Sequence, residues 1–255
     1  METTIPKTSV VLSSLLRADF ITQWRNRRAV VLTLVVPGII LMSWRSFIAT
    51  TGGPFVLANA ITVGLFASGL MGYSNGVARD RDKGIFQRLR VAPIPSWAIM
   101  GSRLLVQLTM IVLITTIVFI IGKDYDNITL SPSAYVITYF TAIIGGSVSL
   151  SLGQMIVGYI KNPETVNSTT RLVYIAFMMT GIFGEMYLAL SKDKVDKIIA
   201  FAVQYCPYGT VKTILSTGME PSKWNADTTT ALLITIGYTI IFTFMGIKWF
   251  KWNTK

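Results

Sequence analysis

The chain has 255 residues, 52% of them hydrophobic and only 14% charged, and 23 Lys and Arg against 12 Asp and Glu give a formal net charge of +11. Soluble domains carry about 25% charged residues, so this composition excludes an ordinary water-soluble protein and points to an integral membrane protein. The single cysteine, Cys206, rules out an intramolecular disulfide, and the absence of histidine removes the usual zinc ligand and the usual catalytic base.

Leu12, Leu16, Phe20 and Trp24 recur every four residues, with Leu15 beside them. This spacing puts one apolar stripe on a helix and leaves Arg17, Arg25, Arg27 and Arg28 to face phosphates. Residues 1–28 are expected to form a helix in the inner membrane interface. Ser13 and Ser14 break the apolar run and Arg17 and Asp19 follow it, so it is not read as a cleaved signal. A first span is predicted at about 29–49, with a kink invited by Pro37-Gly38. Arg45 near its far end either snorkels to the outer interface or meets an anionic substrate. The second span, about 55–77, carries Gly72 and Gly76 as a GxxxG that would admit a neighbouring helix.

Residues 79–97 follow, reading RDRDKGIFQRLRVAPIPSW. Ile85, Phe86 and Leu89 share one face of a short helix, Arg88 and Arg90 flank that face, and Pro93 and Pro95 stop it. A plain positive loop is the alternative reading. The third span, about 98–121, has Arg103 placed to snorkel at its inner end, and Lys123 to Asn127 form a polar turn. The fourth, about 133–160, gathers Gly145, Gly146, Ser147, Ser149, Ser151 and Gly153, which suits tight helix packing or a polar pathway. The fifth, about 171–190, contains one acid, Glu185, either interfacial or facing substrate. Phe177, Met178, Met179 and Phe183 there suit adaptable packing or an apolar substrate.

Residues 198–215 are apolar but split by Pro207 and Gly209 into halves too short to cross, which predicts a re-entrant or interfacial pair of helices on the outer side. The sixth span, about 228–250, ends in a basic and aromatic anchor of Lys248, Trp249, Lys251 and Trp252. Six spans place both termini on one side, where sixteen bases face five acids; the other side holds seven of each. Positive-inside bias assigns the termini and residues 79–97 to the cytoplasm, and the basicity then needs no nucleic-acid partner.

The 79–97 stretch resembles the segment after the second span in permeases of type-2 ATP-binding-cassette (ABC) exporters. In that family an acid/base pair, a glycine, a helix ending in Leu-Arg and a proline form a coupling helix that touches the ATPase subunit. The matching residues are Arg81, Asp82, Lys83, Gly84, Phe86, Arg88, Leu89, Arg90 and Pro93; Asp82-Lys83 stands where the family usually has Glu-Glu or Glu-Lys. The resemblance implies an all-α polytopic fold of one domain over 1–255, with a connecting helix (1–28), a coupling helix (79–97) and a re-entrant element (198–215). It also implies a bacterial plasma-membrane location, two copies of an ATPase, and a second permease copy as homodimer or heterodimer, among membrane lipids.

The chain has no phosphate-binding GxxxxGK[ST] loop, since Gly122-Lys123 is its only Gly-Lys pair and Ile117 stands where the first glycine would be. No cofactor is expected on this chain, and ATP and Mg belong to the partner. The cargo implied is amphipathic, a drug, antibiotic or antimicrobial peptide, with a lipid or lipid-linked glycan as alternative. Arg45, Phe177, Met178 and Glu185 are the candidate pathway residues. A membrane enzyme or assembly factor is the reading of another class, weakened because Asp80 and Asp82, the one carboxylate pair, sit among Arg79, Arg81 and Lys83.

Overall fold

The computed structural model of the chain describes residues 8–91, 96–184, 187 and 197–249. All regular structure among them is helical. Helix α1 (Thr8–Arg25) precedes a bent pair, α2 (Val31–Ser43) and α3 (Arg45–Thr51), which meet at 50°. Helix α4 (Gly53–Asp82) leads into the short α5 (Ile85–Val91), followed by α6 (Ser96–Asp124) and α7 (Pro132–Tyr159). Helix α8 (Pro163–Met178) continues through a π turn, Met179–Phe183; then come α9 (Lys197–Tyr205), α10 (Pro207–Met219) and α11 (Ala226–Lys248).

Among the described residues four helices, α4, most of α6, α7 and α11, are long and apolar enough to cross a membrane, and the bent α2–α3 pair adds a fifth if it is counted as one span. The chain is therefore a multi-pass membrane protein. The predicted fifth span is described only to Gly184, as α8 and its π turn, and does not join that set.

Several helix starts are written in the sequence. Ser131 Oγ accepts from Ala134 N at 3.3 Å, Asn162 Oδ1 from Glu164 N at 2.8 Å, and Asn225 Oδ1 from Thr228 N at 2.8 Å. Pro132 and Pro163 follow the first two caps, where a missing amide costs nothing. The first span departs from expectation. Its bend falls at Trp44 rather than at Pro37, because a π turn over Val31–Val35 precedes the proline, with Val36 N bonded to Val31 O five residues back. The wider turn absorbs the proline's misfit to its own helix.

Helix α4 is the hub. Every residue from Val56 to Leu70 is buried, against α2, α6, α7 and α10. Its closest approach is to α7, where a Cβ on Gly69 would lie 2.4 Å from the Ser149 carbonyl carbon and one on Gly153 would lie 2.6 Å from Gly69 O. Ser149 Oγ also donates to Leu65 O at 2.8 Å. The small residues of α7 thus serve tight packing. The expected Gly72–Gly76 pair does not: nothing lies within 4 Å of a Cβ on Gly76, and a Cβ on Gly72 would be 3.4 Å from Gln23. Helix α10, joined to α9 at Cys206, is wedged among α4, α7 and α11, with Tyr208, Val211, Ile214 and Leu215 fully buried.

Candidate functional site

Helix α4 ends because Gly84 takes φ +67°, a left-handed conformation that glycine adopts without a Cβ clash. Lys83 N bonds to Arg79 O and Gly84 N to Arg81 O, both at 3.0 Å, and the chain turns into α5. The apolar face expected of α5 is present: Phe86 is 1% exposed, and Ile85 and Leu89 are half-buried. Asp82, Lys83, Gln87 and Arg88 face outward.

Two anchors hold this outward face. Arg103, about two turns into α6, lies with its guanidinium 4.7 Å from the Phe86 ring centroid and pairs with Asp80 of α4. Both side chains of that ion pair are largely buried, at 11% and 15% exposure, so the arginine turns inward instead of snorkelling to phosphates. Next to it Ser102 Oγ donates to Asp19 Oδ2 of α1 at 2.6 Å. Helices α1, α4, α5 and α6 therefore share one polar knot. Within it a cation over an aromatic face contributes about 0.5–2 kcal/mol.

The second anchor is Arg81, expected to touch a partner. Its residue is 1% exposed, and its guanidinium donates to Val157 O at 2.7 Å, Ile160 O at 2.6 Å and Lys161 O at 2.9 Å. Val157 lies in the last turn of α7, Ile160 is its C-cap and Lys161 follows, so these carbonyls at the helix end have no further turn of helix to satisfy them. Arg81 is thus an internal cap, because it continues the buried stripe of Ser74, Val77 and Ala78 on α4. The surface left for a partner is Asp82, Lys83, Gln87 and Arg88. The Arg90 side chain lies outside the described residues.

Burial raises the Asp19 pKa above its ordinary 3.8, and Asp80 adds to the rise, while the Ser102 hydroxyl and Arg103 oppose it. A carboxyl raised on folding binds protons more tightly in the folded state, so its contribution is most favourable below 3.8 and declines as pH climbs through the raised value. Asp19→Asn keeps an acceptor for Ser102 and removes that decline. We expect the variant to have a higher thermal midpoint than the parent at pH 7, with the difference shrinking toward pH 4. An unchanged difference across that range would remove Asp19 as its source.

Among the described candidate pathway residues, Arg45 is not brought to Phe177 and Met178. Arg45 lies at the other end of the bundle, just past the bend, with its Nε 3.6 Å from Asp126 Oδ1 and its guanidinium 5.0 Å from the Tyr125 ring centroid. It holds the turn after α6. Burial raises the Asp126 pKa, and Arg45 lowers it in part. Phe177 is half-buried edge-on to Phe66, at 5.4 Å between ring centroids, and Met178 packs against the same core. On that helix Leu172, Ile175, Met179 and Phe183 are the large apolar residues left exposed. Glu185 lies outside the described residues. The sequence reading passed over the roles of Asp19, Asp80 and Ser102. For Arg103 the signal was available, since a charge one turn inside an apolar run is costly unless it is paired.

The sequence model of the ABC-2 type transporter family matches residues 10–186, well over half of the chain and including α5 with both of its anchors. The chain is also similar to YvfS of Bacillus subtilis (strain 168), named as a transport permease, with 22% identity over 227 residues that cover 86% of this chain and 88% of YvfS. With a multi-pass helical bundle, a short helix mounted after its central span and a family match running through that region, the chain belongs to the ABC-2 type transporter family, as one of its membrane-spanning permeases.

Proposed function

We propose that this permease works in a bacterial plasma membrane with a separate ATPase, present in two copies, and with a second permease chain, identical or not. The termini and α5 face the cytoplasm. The partner holds ATP and Mg, and the direction of transport is export. The observation that supports this reading is the mounting of α5: Asp82 and Lys83 at the turn and Gln87 and Arg88 on α5 are exposed, while α5 is pinned to α6 through Phe86 and the end of α4 just before it is tied to α7 through Arg81. A push delivered to that surface on closure of the ATPases moves α4, α6 and α7 together, and ATP biases a two-state bundle. The cargo is an amphipathic drug, antibiotic or antimicrobial peptide, in keeping with the exposed Met179 and Phe183.

The test is Lys83→Glu with Arg88→Glu, affinity-purified from native membranes in mild detergent. Both side chains are exposed, so insertion and yield should equal the parent's. ATPase recovered per permease should fall to a small fraction, and ATP-driven export of a fluorescent amphipathic drug from loaded vesicles should stop. A full complement of ATPase on the double variant would place the contact elsewhere.

A further inference from the structure

A second polar feature lies on the same end of the bundle as α5 but on another side of it. A cleft of about 330 Å³ opens where the π turn of α2, the C-terminal half of α4 and the first two turns of α8 meet. Arg79 and Arg171 line it together with Asn26, Asn75 and Asn167, while Leu32 and Met71 supply its apolar wall. Glu164 also lines it, which leaves one positive charge in excess.

The polar groups are partly preorganised. Arg79 donates its Nε to Asn75 O at 3.2 Å, which fixes the arginine along α4 and leaves its two terminal nitrogens for another acceptor. Asn75 Nδ2 donates to Met71 O at 3.1 Å and to Asn167 Oδ1 at 3.4 Å, joining α4 to α8 across the floor of the cleft. Among the described residues neither Arg79 nor Arg171 has a carboxylate within ion-pair distance, although Glu164 shares the cleft. Two guanidiniums that line one cleft from neighbouring helices, with amide side chains beside them, supply the planar sets of N–H donors that suit phosphate oxygens. On the same two helices Val31 and Val35 of α2 and Leu172 and Ile175 of α8 are exposed apolar side chains.

We propose that this cleft binds a phosphate group, with Arg79 and Arg171 as its ligands and Asn26, Asn75 and Asn167 as orienting amides. The apolar wall favours the phosphate of an amphiphile, whose chain would lie along α2 and α8 while its head enters the cleft. The site is independent of α5 and of the ATPase contact.

The experiment uses the full chain in detergent, with its ATPase if the two co-purify, titrated separately with dihexanoyl phosphatidylglycerol, dihexanoylglycerol and inorganic phosphate and read as dissociation constants. The variant is Arg79→Gln with Arg171→Gln; both side chains are exposed, so the fold should hold. Lys123→Gln, exposed in the last turn of α6 and outside the cleft, is the control. Loss of two charge-assisted contacts should weaken phosphatidylglycerol by roughly 100-fold. The control should bind as the parent does, and dihexanoylglycerol should bind neither protein. Inorganic phosphate binding as tightly as the lipid, and lost in the same variant, would support the site and assign it to a soluble phosphate. Equal binding by parent and double variant, or tight binding of dihexanoylglycerol, would overturn the proposal.

Discussion

Arg81→Met is expected to destabilise the chain by roughly 3 kcal/mol, the largest effect of any single side chain near α5. The methionine fills much the same volume, so the cost is chemical. Val157 O, Ile160 O and Lys161 O lose the donors that now lie 2.6–2.9 Å away. They end a helix whose dipole favours a cation there, and the site is closed to water. Arg81→Lys restores the charge but cannot reach three carbonyls with a rigid fork, so it should recover part of the loss only. The measurement is the thermal midpoint in detergent together with the yield of monodisperse protein. Lys83→Glu with Arg88→Glu should leave both readouts unchanged, which separates holding α5 in place from contacting a partner. If Arg81→Met were as stable as the parent and lost only its ATPase, Arg81 would belong to the contact surface after all.

Charge and periodicity reported different things about this region. Period and composition named the apolar face of α5, because Phe86 and Leu89 need one face, but drew the coupling helix over 79–97; it is shorter, Ile85–Val91, because the preceding helix runs on to Asp82 and Gly84, at φ +67°, makes the turn between them. They misplaced Arg81 because a run of charges was read as one surface. The phase of α4 decides otherwise: Ser74, Val77, Ala78 and Arg81 fall on one stripe, and the stripe is buried. That continuity was legible had the period of the span been carried past its apolar end. The pairing of Asp19 with Ser102 was not legible, since the two lie 83 positions apart and neither departs from a local pattern. Arg45 with Asp126 was no more legible, because it depends on the bend at Trp44, which the sequence placed at Pro37. Small-residue composition showed that helices pack closely but not which glycines meet. Gly72 and Gly76 had the motif spacing, yet Gly69 has the contact.

That contact carries the second large effect. Gly69→Ala should be far more damaging than Gly76→Ala, although both place a methyl on the same helix. A Cβ at Gly69 would sit 2.4 Å from the Ser149 carbonyl carbon and 2.5 Å from its oxygen, backbone atoms that cannot rotate away. Helices α4 and α7 would have to separate, breaking the 2.8 Å bond from Ser149 Oγ to Leu65 O; overpacking of this kind costs about 1–3 kcal/mol, and the lost hydrogen bond adds to it. A Cβ at Gly76 meets nothing within 4 Å, and alanine is the better helix former by about 1 kcal/mol, so that variant should be neutral or slightly stabilising. Thermal midpoints of the two variants, measured beside ATP-driven export in vesicles, make the comparison. Because Arg81 lies in the last turn of α4 and caps the end of α7, the Gly69–Ser149 crossing and the Arg81 cap fix the same two helices at two heights. Any displacement of α5 must therefore carry α7 with α4. Gly69→Ala should lower export more than its loss of stability alone accounts for. Equal midpoints and equal export in the two glycine variants would show that the crossing bears neither load.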